Sequence, residues 1–129
     1  MNASLSPPKI VNLPLPNGIT VCLPDQLELM TPYVLLEQQD WFEDEIHFVR
    51  RLIQPGMATI DIGANYGVYT LTIAKAVGPA GQVWAFEPAN ATANFLAQSL
   101  ADNNFTQVTL VRAALSDREG QAHLSNNTN

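Results

Sequence analysis

Apolar residues fall into short blocks along this chain, and the spacing within each block predicts its element. Residues 10–23, IVNLPLPNGITVCL, read as two apolar-alternating runs on either side of Asn17-Gly18. Asn-Gly between such runs predicts a hairpin, because both residues tolerate positive φ. Pro14 and Pro16 cannot donate ladder hydrogen bonds, which confines the first run to an edge or to extended coil. Residues 1–39 are therefore expected to form an appendage that carries a hairpin ahead of the main fold, residues 40–129. Asp40 and Glu43 stand at capping-box spacing, with Asp in the place of Ser or Thr. Phe42, Ile46, Val49 and Ile53 follow at helical intervals, Trp41, Phe48 and Leu52 widen the stripe, and Pro55-Gly56 ends it.

From Ala58 the pattern becomes strand, loop, helix, strand, helix, strand. Ala58 to Ile62 is short and mostly apolar, as a buried parallel strand should be. Val68 to Val77 places Leu71, Ala74 and Val77 in helical register, and Gly78-Pro79 closes that helix. Val83 to Phe86 reads as a second strand that ends at Glu87-Pro88. Asn90 is expected to cap a helix running to Asp102, with Phe95, Leu96, Ser99 and Leu100 inward. Val108 to Val111 reads as a third strand, and Gln121 to Leu124 as the start of a fourth. Strands alternating with helices at this spacing form right-handed βαβ units, so the expected fold is α/β with a Rossmann-like, doubly wound parallel sheet.

Composition narrows the function. With 129 residues the chain can make one domain that buries roughly two thirds of its unfolded surface. A net charge of −6, with only six scattered Lys and Arg, gives no electrostatic footing for nucleic acid. No run approaches the ~20 apolar residues of a membrane span, so no membrane partner is expected. MNASLSPPK lacks the apolar core of a secretory leader, and the single Cys22 fits a reducing compartment, so a cytoplasmic location is expected. His47 has no second ligand at metal spacing and reads as a surface or packing residue. No metal site is expected.

The candidate chemistry lies in IDIGANYGVYT, residues 60–70, and in Glu87. Ligands of such sheets sit beyond the carboxyl ends of the strands. Gly63 allows a sharp turn with no Cβ in the way, and Gly67 lets the next helix start close to the strand. Glu87 ends the second strand 20 residues past Gly67, where an acid can accept both hydroxyls of a ribose. Dinucleotide folds use Gly-x-Gly-x-x-Gly, but Asn65 stands at the second-glycine position here and puts a side chain where a pyrophosphate would lie. Asp61 adds negative charge just before the loop. Such an acid suits a ligand with a cationic end, and S-adenosylmethionine combines an ammonium, a ribose diol and no phosphate. Residue by residue, this favours S-adenosylmethionine over NAD. Tyr66 and Tyr69 could line the crevice or pack against the sheet.

IDIGANYGVYTLTIAK, VWAFEP and VTLVRAALSDREGQAHL also resemble the FkbM-type methyltransferases, and YVLLEQQDWFEDEIHFVRRLIQPG is similar to the stretch that leads into the motif there. The resemblance spans residues 19–125. It implies a class I, S-adenosylmethionine-dependent methyltransferase acting on a hydroxyl of a small molecule or sugar. It also implies that Asp61, Gly63, Ala64, Asn65 and Gly67 surround the methionyl part, that Glu87 binds the ribose, and that residues near Ala113-Ala114 border the adenine; Tyr66 and Pro88 are counted beside them as candidate cofactor contacts. Members of the family are longer, with further strands completing the sheet. This sequence is thus expected to hold the cofactor half, and the alternative is a truncated, non-catalytic fragment that binds cofactor weakly or needs a partner. No catalytic base is assigned, since nothing in the sequence orients His123.

Overall fold

The computed structural model describes residues 9–26 and 44–125. Strands β1 (Ile10–Pro14) and β2 (Thr20–Pro24) form an antiparallel hairpin in which Leu13 faces Val21 and Asn12 faces Cys22. A single 3-10 turn, Pro16–Gly18, joins them, with Asn17 at φ 71° and Gly18 at φ 75°. Positive φ at both residues is the geometry that matches the right-handed twist of paired strands. Helix α1 (Glu45–Leu52), strand β3 (Ala58–Ile62), helix α2 (Val68–Val77), strand β4 (Gln82–Phe86), helix α3 (Asn90–Asp102) and strand β5 (Val108–Val111) follow. The capping pair Asp40 and Glu43, with Trp41 and Phe42, lies outside the described residues.

The second sheet is parallel, in the order β3-β4-β5, with Asp61 opposite Ala85 and Ala85 opposite Leu110. Right-handed crossovers between successive strands put α2 and α3 on one face. That face is packed: Val83 meets Ile73, Ala74 and Val77, and Ala85 meets Leu96. The opposite face is bare among the described residues, with Ile60 62%, Ile62 64% and Trp84 38% exposed. The described residues therefore supply one of the two helical layers of a doubly wound sheet. The residues from Gln121 to Leu124, expected to open a fourth strand, instead form an exposed segment without regular structure.

The hairpin is not an appendage. Leu13, Leu15, Ile19, Val21 and Leu23 share one buried cluster with Ile46, Tyr66, Val68 and Leu71. Strand β2 would have an open edge on its far side, and α3 closes it with side chains. Thr20 donates its backbone N–H to Asn103 Oδ1 at 2.9 Å, Asn103 Nδ2 donates back to the Thr20 carbonyl at 2.6 Å, and Cys22 N–H reaches Ser99 Oγ at 2.8 Å. An asparagine amide can imitate one residue of a neighbouring strand, donor and acceptor together. Buried backbone groups need such partners, which explains why Ser99 is polar at a fully buried position. Burial also pushes the Cys22 thiol up, with the Asp102 charge adding to it, so Cys22 acts as a small apolar filler.

Two details of the helices differ from the pattern in the sequence. Phe48 and Leu52, expected to widen the apolar stripe of α1, are 63% and 53% exposed, while Ile46 is fully buried and Val49 and Ile53 pack partly under α2. Helix α3 takes Ala89 as its N-cap, and Asn90 is its first helical residue with no side-chain cap. The Glu87 carboxylate instead accepts the N–H of Ala89, the N-cap residue itself.

Candidate functional site

The loop leaves β3 without losing contact with β4. Gly63 and Ala64 both donate backbone N–H groups to the Phe86 carbonyl at 2.9 Å, so the chain turns off the strand while pinned to its neighbour. Gly63 (φ 73°), Asn65 (φ 56°) and Gly67 (φ 95°) adopt left-handed conformations in alternation. Asn is the side-chain-bearing residue that accepts this region most readily, which explains its place between the glycines. Gly67 donates to the Ala64 carbonyl at 3.0 Å and accepts from Leu71 N–H at 2.8 Å, so the loop tightens directly into α2.

The two glycines serve different ends. A Cβ at Gly67 would stand 2.3 Å from Leu96 Cδ1, so this position lets α2 start against α3. A Cβ at Gly63 would meet nothing within 4 Å. Gly63 is exposed and faces open space at the carboxyl end of the sheet, where a ligand of this fold class would lie.

Two carboxylates flank the loop. Asp61 sits half-buried on the helix-facing side of β3, and Thr70 of α2 donates its hydroxyl to Asp61 Oδ2 at 2.6 Å. Burial raises the Asp61 pKa above the ordinary carboxylate value, the charge of Glu87 adds to the rise, and the Thr70 hydrogen bond opposes it. Glu87 is 8% exposed. Its Oε1 accepts the Asn65 backbone N–H and its Oε2 the Ala89 N–H, both at 2.9 Å. Glu87 N–H in turn bonds the Val111 carbonyl at 3.0 Å, which fixes the residue between β4 and β5.

The remaining predicted site residues divide. Ala64 is buried against Ala85 and Leu96, so it offers a ligand its backbone only. Tyr66 points inward: its ring meets Phe95 edge-on with centroids 5.9 Å apart, and its hydroxyl bonds the Thr92 side chain. Burial pushes the Tyr66 phenol up, opposed by the Thr92 bond. Its side chain holds the loop to α3 and does not line the crevice. Pro88 is half-buried beside Glu87, and Ala114 is exposed in the segment after β5. His47 and His123 are both exposed. The part of the site that sequence reading missed is the structural bond of Glu87 to Asn65 N–H. The spacing of an acid from a glycine loop shows where the carboxyl group is, but not which way the loop amides turn.

No family model matches this sequence, and neither does any curated protein. Solved structures do match. P. horikoshii TYW2 in complex with MeSAdo is 21% identical with a TM-score of 0.58, over 82% of this chain and 37% of that one. Trm5b from Pyrococcus abyssi is 20% identical with a TM-score of 0.54, over 73% and 25%. A SAM-dependent O-methyltransferase from Thermotoga maritima is 19% identical with a TM-score of 0.52, over 84% and 41%. The fold is the Rossmann-like α/β fold of class I methyltransferases. The chain spans well under half the length of each of these structures.

Proposed function

We propose that this chain binds S-adenosylmethionine at the 60–70 loop and forms the cofactor-binding part of a methyltransferase of FkbM type, acting on a hydroxyl of a small molecule or sugar. One observation carries the choice of ligand: the Asn65 amide, which in a dinucleotide fold would face a pyrophosphate, is held by the Glu87 carboxylate. That amide is not open to a second anion, and Asp61 adds further negative charge beside it. A ligand with a cationic amino-acid end and a neutral ribose suits the same place. The solved structures support the reading through their shared fold and, in one case, their bound MeSAdo.

The residues present fit this group. In the proposed arrangement Asp61 holds the ammonium, since Thr70 engages only one of its two oxygens. Gly63 leaves room for the methionyl chain, the remaining lone pairs of Glu87 take the ribose hydroxyls, and the Ala113–Ala114 stretch borders the adenine. When bound, the cofactor supplies a sulfonium methyl for in-line displacement by the acceptor oxygen. The contribution of this chain is orientation, which converts an encounter between two molecules into a reaction within one complex.

Titration calorimetry with S-adenosylhomocysteine tests the reading. Micromolar binding is expected for the full chain, and Gly63→Ala should weaken it about tenfold by placing a methyl group where the ligand passes. The same substitution meets no protein atom, so its cost in stability should stay near the ~1–2 kcal/mol of a left-handed alanine. Binding that is unchanged in Gly63→Ala would put the ligand elsewhere.

The bare face of the sheet favours a second reading, in which the unit binds cofactor weakly until another protein surface completes it. Among the described residues β3 has a neighbour on one side only, and Ile60, Ile62 and Trp84 stand exposed beside it. An open apolar edge of this kind pairs readily with other chains. This reading expects the isolated chain to self-associate in sedimentation and to lack methyl transfer. A monomeric chain that melts cooperatively and transfers methyl groups would rule it out.

A further inference from the structure

Among the tethers that join the glycine loop to α3 are the edge contact of Tyr66 with Phe95, the close approach of Gly67 to Leu96, and the carboxylate of Glu87. The last differs from the others because it is a charge, and because its two oxygens serve two different elements. Oε1 holds the N–H of left-handed Asn65 at the crown of the loop. Oε2 holds the N–H of Ala89, the N-cap of α3. We propose that Glu87 is the positioning residue of the loop: one carboxylate sets the loop against the start of α3, so that a ligand taking its free lone pairs is received by a loop already in its binding shape. The identity of that ligand rests on the cofactor reading above, but the clamp itself does not.

The chemistry supports a dual role. Each carboxylate oxygen carries two lone pairs, and one N–H occupies only one of them. Hydrogen bonds to an ionised acceptor are shorter and stronger than neutral ones, so each bond holds its amide firmly. Ligand hydroxyls and loop amides are then not rivals for Glu87 but share it. The consequence is specific: losing the charge should harm the part of the ligand that the loop holds, not only the part that touches Glu87. The conservative variant Glu87→Gln keeps the shape and one carbonyl oxygen, but its amide nitrogen is a donor and cannot accept the second N–H.

The test uses the full chain, first without ligand. In hydrogen-exchange NMR the Asn65 and Ala89 amides should both exchange slowly, because one carboxylate accepts both. In Glu87→Gln at least one of the two should exchange about tenfold faster or more, the loss of one charge-assisted bond, since the new side chain accepts through one oxygen only. Unchanged exchange at both amides would overturn the clamp. Should Glu87→Gln fail to fold, Ala89→Pro removes one donor at a residue with φ −78°, where proline fits. Slow exchange at Asn65 should survive in that variant, and its loss would count against a direct bond. The second arm compares S-adenosylhomocysteine with adenosine by calorimetry. Glu87→Gln should weaken S-adenosylhomocysteine more than adenosine, since adenosine lacks the amino-acid part held by the loop. An equal loss would leave Glu87 as a ribose contact alone and refute the positioning role. If the native chain binds neither compound, the cofactor reading fails, and the amide exchange still decides the clamp.

Discussion

Gly67→Ala is expected to lower the stability of the protein by about 3 kcal/mol, from two costs that add. Alanine in the left-handed region costs about 1–2 kcal/mol, and Gly67 sits at φ 95°. Overpacking a filled core costs about 1–3 kcal/mol more. The new methyl group would stand 2.3 Å from Leu96 Cδ1. A leucine tip can normally swing aside, but Leu96 is fully buried with Ala64 and Ala85 packed against it, so the swing has no space to enter. Against the 5–15 kcal/mol of a typical domain, this is a large fraction. Urea unfolding should show a lower midpoint at unchanged slope. The steric half of the cost can be isolated by a double-mutant cycle with Leu96→Ala. Leu96→Ala alone should cost about 2–5 kcal/mol, but the pair should cost less than the sum, because the cavity accepts the new methyl group. Simple additivity would mean that the cost lies in the backbone alone.

The contrast with Gly63 shows how far the glycine loop could be read from sequence. Two glycines four apart mark a turn between strand and helix, and the structure places β3, the loop and α2 at the boundaries the pattern predicts. Nothing in the letters separates the glycine that faces a neighbouring helix from the one that faces open space. That distinction depends on α3, which arrives from more than twenty residues away. The same reason covers the other differences. Tyr66 is an aromatic residue on a ligand loop, and its inward turn depends on where Phe95 and Thr92 stand. Phe48 and Leu52 are apolar at helical spacing, but among the described residues α1 finds a partner for the stripe of Ile46, Val49 and Ile53. Periodicity reports which faces could be buried, and packing decides which of them are. The hairpin makes the point most plainly. Its turn was legible in Asn17-Gly18, whereas its union with the core runs through Ser99 and Asn103, polar residues that carry no periodic signal.

Asp61→Asn should raise stability and weaken the proposed cofactor binding at once. The folded-state pKa of Asp61 lies above the ordinary carboxylate value, chiefly because burial disfavours the charge, with Glu87 adding repulsion. The folded protein therefore holds this proton more tightly than the unfolded chain does. Its contribution is fully present below the unfolded pKa and is lost as pH rises through the folded one. Once the carboxyl loses its proton, Asp61 thus works against the fold. Asparagine has the same shape and keeps an oxygen to accept the Thr70 hydroxyl at the position now filled by Asp61 Oδ2. The variant should be more stable than the native chain at pH 7, and the gain should vanish in acid, where the native carboxyl is neutral as well. If Asp61 holds the ammonium of the cofactor, the variant should also bind S-adenosylhomocysteine roughly ten- to hundredfold more weakly, the value of a hydrogen bond to a charged group. Opposite signs in the two measurements are the signature of a group kept for its ligand at the expense of the fold. A loss of stability at neutral pH would make Asp61 a structural anchor of Thr70 instead. Unchanged binding would remove it from the ammonium site.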